Sequence, residues 1–93
     1  MQINQSEQIS NGKFTAFIGE VEVGHVDYSW INPSKFSIIH TEVHPEYGGK
    51  GIGKKLVLHA VAFARGKNAK IKPLCSYAMA VFDKTSDIQD VLE

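Results

Sequence analysis

The sequence predicts an α+β fold: a mixed, mostly antiparallel sheet in the order β-β-β-α-β-α, with helices packed on it. Three observations predict this. Between Phe14 and Val43 the chain offers three short runs rich in aromatic and β-branched residues, separated by turn signals. One long apolar stripe at helical spacing follows, from Ile52 to Ala64. After it comes Lys70 to Leu74, too short for anything but a strand, and a helical crossover between strands implies a parallel pair.

Residues 1–12 are polar and read as a flexible lead-in with a turn signal at Asn11-Gly12, so the folded domain is expected over 13–93. Phe14 to Ile18 is the first strand. Gly19-Glu20 suits a two-residue hairpin loop, because glycine supplies the positive φ of a type II′ turn. Val21 to Trp30 is the return strand, but with a phase slip: Val21 and Val23 share one face, while Val26, Tyr28 and Trp30 share the other. A β-bulge near Gly24-His25 would bring both sets to the buried side. After the turn at Asn32-Pro33-Ser34, Lys35 to Val43 is the third strand. Phe36, Ile38, His40 and Glu42 alternate there with Ser37, Ile39, Thr41 and Val43; apolar residues open both rows, as in a central strand covered on both faces.

In the long helix, Ile52, Leu56, Val57, Ala60, Phe63 and Ala64 share one arc, and Gly53 inside it permits close backbone packing. Gly66 and Asn68 mark its end. Pro73 puts the fourth strand at an edge or a strand end. Ser76 is the expected N-cap of a short helix from Tyr77 to Phe82, and Asp87 to Leu92 reads as one more helical turn.

Ten Lys and Arg balance ten Asp and Glu over 93 residues, so nothing favours nucleic acid as a partner. A single cysteine excludes an internal disulfide and favours a reducing compartment. The amino end has neither basic start nor apolar run, and no stretch approaches the ~20 apolar residues of a membrane span. A cytoplasmic monomer is expected.

The strongest signal for chemistry is the segment VHPEYGGKGIGKK, from Val43 to Lys55. A central strand ends, a glycine-rich loop follows and a helix begins. The unpartnered first-turn N–H groups and the macrodipole make this a ready site for a phosphate or diphosphate, and Lys50, Lys54 and Lys55 raise the local positive potential. The loop is not a P-loop, since Lys54 is followed by Lys55 rather than a hydroxyl residue, and the dinucleotide spacing is reversed.

With HTEV at His40 to Val43 and PLCSYA at Pro73 to Ala78, this loop resembles the small, single-domain subfamily of GCN5-related N-acetyltransferases over about residues 13 to 92. The resemblance implies a truncated acyl-CoA N-acyltransferase fold and acetyl-CoA, or coenzyme A, as the ligand. It implies that Gly48, Gly49, Lys50, Gly51, Ile52, Gly53 and Lys54 hold the diphosphate, and that pantetheine lies along Thr41 and Val43. Gly48 stands where the family usually has Arg or Gln, which lowers the expected affinity. The two helices that full-length members place between their first strands find no room at Gly19-Glu20, so the acyl end should be open and suit a bulky or peptide-like acceptor, or none.

Cys75 follows a strand and precedes a helix, a position where the dipole favours a thiolate; such a sulfur could take an acyl group from a thioester, although a free cysteine is more often a small buried apolar residue. His40 and Glu42 project from one strand face, and either could accept a proton from an acceptor amine or from Cys75; a hydrogen-bonded core histidine is the plain alternative for His40. His40, Glu42 and His44 also resemble a two-histidine, one-carboxylate set, but Pro45 turns His44 away, and no metal is expected. Tyr77 and Tyr28 are weaker candidates to return a proton to the departing sulfur, although aromatic residues at these spacings more often simply pack; Tyr77 is also counted with the coenzyme-binding residues, and His25 and His59 look structural. The leading expectation is a minimal acetyl-CoA-dependent acetyltransferase; the alternative is a non-catalytic acyl-CoA-binding or sensing domain.

Overall fold

The structure, a computed structural model, describes residues Met1 to Glu93. Five strands form one sheet in the order β1-β2-β3-β4-β5: β1 Gln2–Gln8, β2 Asn11–Ile18, β3 Val21–Asn32, β4 Lys35–Val43 and β5 Lys70–Pro73. The first four pair antiparallel in sequence order, and β5 joins β4 in parallel. The crossover between them is helix α1, Ile52–Gly66; helix α2, Ser76–Lys84, follows β5, and a 3-10 segment, Ser86–Val91, ends the chain. Both helices and that segment feed one buried cluster of 20 apolar residues with the sheet, so all lie on the same face. The opposite face carries no helix. None of the helices is long and apolar enough to cross a membrane.

The sheet has one strand more than the sequence pattern predicts. Residues 1–12 are not a flexible lead-in: β1 pairs with β2 along its whole length, from Gln2 opposite Phe17 to Gln8 opposite Asn11. Only Ile3 is apolar in β1, so no alternation announces it. Its inward polar side chains hold it instead. Gln5 donates to Tyr28 Oη at 2.7 Å, Tyr28 Oη donates to Glu7 at 2.6 Å, and Trp30 Nε1 donates to the same carboxylate at 3.0 Å. These bonds push the Glu7 carboxyl below its usual range, while burial, with help from Glu7, pushes the Tyr28 phenol up to about 12. The expected turn at Asn11-Gly12 lies inside β2, and the chain reverses at Ile9-Ser10. Gly12 serves packing: a Cβ there would stand 2.2 Å from Tyr28 Cζ.

The hairpin at Gly19-Glu20 forms as expected, with Gly19 at φ +63. The β3 bulge falls on Val23, which has no partner between Ala16 opposite Gly24 and Phe17 opposite Glu22. Val23 is buried but Val21 is half exposed, so only one of the two valines joins the core.

A second irregularity matters more. Asp27 pairs with His40 and Tyr28 with Ile38, leaving Ile39 unpaired as a bulge. One extra residue moves every later side chain to the other face. Phe36 and Ile38 face the helices, and beyond Ile39 it is Thr41 and Val43 that do so; Ile39 itself is 48 % exposed. The strand is central but covered on one face only, contrary to the two-sided burial expected from its apolar rows.

Helix α1 buries Ile52, Leu56, Val57, Ala60 and Ala64, the expected arc, together with Val61; Phe63 is half-buried against Phe14, Tyr28, Trp30 and Phe36. Each large side chain so buried contributes ~1.5–3 kcal/mol. Asp87 to Leu92 is largely 3-10 rather than α-helical, and Leu92 bridges Ile71.

Candidate coenzyme and thiol site

β4 and β5 pair only from Lys35 opposite Lys70 to Ile38 opposite Pro73, with one further bond from Leu74 N–H to the Ile38 carbonyl. Beyond that point β5 gives way to α2, and β4 continues with an open flank. The His44 N–H bonds to the Val23 carbonyl at 2.9 Å. By the alternation of an antiparallel ladder, the main-chain groups of Glu42 and His40 turn toward β3, and those of Thr41 and Val43 turn toward the open flank.

The loop after β4 begins with a 3-10 turn, Pro45–Tyr47, whose end is closed by Gly48 N–H bonding to the Pro45 carbonyl at 3.1 Å. Gly49 and Gly51 take left-handed φ values of +77 and +76, which only glycine adopts without strain. The chain then enters α1 at Ile52 with no side-chain cap. From Gly49 through Lys54, six consecutive N–H groups have no protein acceptor, and the first helical bond in the ladder comes from Lys55 to the Gly51 carbonyl. Buried orphans would cost free energy, but this loop is largely exposed, and its donors fit an external anion. Gly48, counted with the donors from sequence, spends its N–H within the turn and acts by shaping it.

Tyr77, in the first turn of α2, lies over Gly53: a Cβ on Gly53 would meet Tyr77 Oη at 2.7 Å. The missing side chain expected to permit close packing thus admits a phenol against the first turn of α1. Lys54, Tyr77, Ala80 and Lys84 line a shallow cleft between the helices, giving the loop a basic flank.

Cys75, not Ser76, is the N-cap of α2. Its Sγ accepts a bond from the Ala78 N–H at 3.3 Å and lies 3.4 Å from Thr41 Oγ1. The sulfur therefore stands at the open flank of β4, half-buried, between a helix N-terminus and a hydroxyl. His40 and Glu42 are elsewhere. They leave β4 on the opposite face from Thr41, exposed, beside His25 and Asp27 of β3. The structure thus brings Thr41, Val43, the loop, Tyr77 and Cys75 together and separates both expected bases from the thiol. Tyr28, the other candidate acid, is committed to the core and to Glu7. The Thr41 hydroxyl was missed as a partner of the thiol, because only its backbone was weighed; nothing before the bulge at Ile39 signals which way it points.

The largest concavity lies away from this site, on the helix-free face beneath the β1–β2 turn, lined by Ser6, Gln8, Lys13, Asp27 and Ile39 among others. Of the residues singled out from sequence for chemistry, only Tyr28 borders it.

A family model described as GCN5-related N-acetyl-transferase matches residues 13–91. Among solved structures, a GCN5-like putative N-acetyltransferase from Staphylococcus aureus superposes with a TM-score of 0.77 at 33 % identity, over 99 % of this chain and 87 % of that one. An IAA acetyltransferase from Bacillus cereus gives a TM-score of 0.67 at 28 % identity, over 81 % of this chain and 53 % of its own. A Bacillus subtilis acetyltransferase in complex with CoA, at 24 % identity and a TM-score of 0.68, shares the fold over 81 % of this chain and 53 % of its own. The chain spans about half the length of these larger enzymes and nearly all of the staphylococcal protein. No curated protein matches.

Proposed function

Because this chain belongs to the GCN5-related N-acetyltransferase family, we propose that it binds acetyl-CoA with its diphosphate on the Gly49–Lys54 amides and passes the acetyl group to Cys75. The observation that carries the binding half is the run of six unpaired N–H groups at the start of α1. The transfer half rests on the position of Cys75 at the open flank of β4, where Thr41 and Val43 turn their main-chain groups outward.

In this reading Cys75 Sγ bonds to the acetyl carbon as the bond from that carbon to the coenzyme sulfur breaks. The thiol proton leaves through the Thr41 hydroxyl and ends on the departing thiolate. One thioester replaces another, so the step is near neutral. The outward N–H of Thr41 or Val43 polarises the carbonyl oxygen as it gains charge. Tyr77 packs at the head of α1 and borders the coenzyme. An acceptor then takes the acetyl group from Cys75; the helix-free sheet and short β-turns suit a bulky or peptide-like one.

The test is incubation with acetyl-CoA followed by intact-mass measurement. One acetyl adduct per chain is expected on the wild type and none on Cys75→Ala. No adduct on wild type, or an equal one on the variant, removes the covalent step.

A second reading, a coenzyme-binding or sensing domain without turnover, draws on one observation: the groups bonded to Cys75 are a threonine hydroxyl and a main-chain N–H, neither of which is a base. Continuous CoA release with added amines or peptides, lost in Cys75→Ala, decides against it. Absence of a thermal shift with CoA at 100 times the expected dissociation constant, where ~2.7 kcal/mol is due, removes both readings.

A further inference from the structure

The helix-free face of the sheet carries a cluster that the acetyl-transfer reading does not use. His25 lies directly opposite Glu42, and Asp27 directly opposite His40, on the two rungs of the β3–β4 ladder that flank the Val26–Thr41 pair. One ring nitrogen each of His25 and His40 and one Glu42 oxygen all lie within 4.8 Å of one another. His40 Nε2 is 3.5 Å and His25 Nε2 4.0 Å from Glu42 Oε1, and Asp27 Oδ2 is 3.6 Å from His25 Nε2. We propose that His25, His40 and Glu42 bind a divalent first-row transition ion, zinc in the first place, with Asp27 beside them.

The geometry argues for it in three ways. Ligand atoms ~2.0–2.1 Å from a tetrahedral zinc stand about 3.4 Å apart, so the trio is close to a chelating arrangement and needs only small side-chain rotations to reach it. The four side chains also meet one another only at the ion-pair distances above, with no hydrogen bond tying either imidazole to another part of the chain, so the ring nitrogens stay available as donors to a cation. Finally, the donors stand on two hydrogen-bonded strands rather than on loops, which holds them in place before the ion arrives. His25 is the anchor, its side chain 18 % exposed, while His40 and Glu42 are open to solvent at 56 % and 60 %.

Two neutral imidazoles suit zinc, cobalt, nickel or copper over calcium or magnesium. Two carboxylates supply the charge to balance a dication. Three protein ligands leave at least one position for water. His44, the third member of the set considered from sequence, is not part of this one; the bulge at Ile39 and the strand register supply His25 instead.

The test uses metal-free protein without coenzyme, so its outcome does not depend on the acetyl-transfer reading. Zinc and cobalt are titrated by calorimetry, and the histidine ring signals are followed by NMR. One ion per chain is expected, with the His25 and His40 rings shifting and those of His44 and His59 unmoved. His25→Ala and Glu42→Gln should each weaken binding by about tenfold or more, the loss that even an outer-sphere partner produces. Wild-type affinity in Glu42→Gln, shifts confined to His44 or His59, or no saturable binding at millimolar zinc would each overturn the proposal. If His25→Ala does not fold, the wild-type ring shifts and Glu42→Gln still decide it.

Discussion

Gly48→Arg should tighten coenzyme binding, and the structure says by how much and why its neighbour cannot substitute. Gly48 has φ −65 and ψ 153, an extended backbone open to any residue. A Cβ there meets only the Pro45 carbonyl oxygen, at 3.2 Å, so the turn must yield by a few tenths of an ångström. An arginine at this position restores the side chain that the family resemblance leaves missing. Hydrogen bonds to a charged group contribute ~1.5–3 kcal/mol, and solvent screening at so exposed a loop reduces this to about 1 kcal/mol. That is roughly a fivefold lower dissociation constant. At Gly49 the same substitution meets φ +77, where an L-residue costs ~1–2 kcal/mol, so Gly49→Arg should bind no better than wild type or worse. Calorimetric titration with CoA at low and high salt is the assay, with Gly48→Ala as the control for backbone stiffening. The gain should belong to arginine alone and shrink in high salt. Equal affinity for Gly48→Arg and Gly48→Ala at low salt would refute a diphosphate on this loop.

Gly12→Ala drives a methyl group into the buried Tyr28 ring, whose hydroxyl is already tied to Gln5 and Glu7; urea unfolding should show a loss of ~1–3 kcal/mol or more, and a loss under about 0.5 kcal/mol would mean the ring moves freely. Tyr28→Phe leaves Gln5 and Glu7 without their shared partner; both are exposed and regain water, so the same measurement should show a loss of ~0.5–1.5 kcal/mol at neutral pH. Because folding raises the phenol from 10.0 to about 12, its contribution is complete below the unfolded value and is lost as pH climbs through that interval. The Glu7 carboxyl is lowered, chiefly by its bond from Tyr28, so its contribution holds above the ordinary carboxylate value of 4.5 and fades as pH falls through the folded one. Tyr28→Phe should therefore flatten the alkaline limb of the stability profile and weaken the acid limb, and unchanged limbs would sink the assignment.

Local features of the chain were legible. The glycine loop, the stripe of α1 and the Gly19-Glu20 turn each depend on residues within a few positions of one another, where φ limits and helical spacing decide the outcome. Contacts between distant residues were not. β1 has almost no apolar pattern because its stability comes from Gln5 and Glu7 reaching Tyr28 and Trp30, more than 20 residues away. The sequence offers Ser76 as the cap, since a hydroxyl is the usual acceptor, whereas the Cys75 sulfur takes that position with Thr41 beside it. His25 looked structural because its relation to Glu42 is one of strand register, which a one-dimensional reading does not contain.

The residue that divides the two chemistries is Ile39. In an unbroken β4, Phe36, Ile38, His40 and Glu42 would all share the helix face, as their spacing suggests. An imidazole and a carboxylate would then enter a core whose neighbouring positions, Val26 and Ala78, are fully buried and offer no side-chain partner for either. The extra residue avoids that cost. It sends His40 and Glu42 to the open face beside His25 and Asp27, and it brings Thr41 inward to Cys75. A half-exposed isoleucine is a small loss against two desolvated polar groups. The bulge lets one strand supply a hydroxyl and outward amides to a thiol on one side while presenting His40 and Glu42, two of the three chelating side chains, on the other.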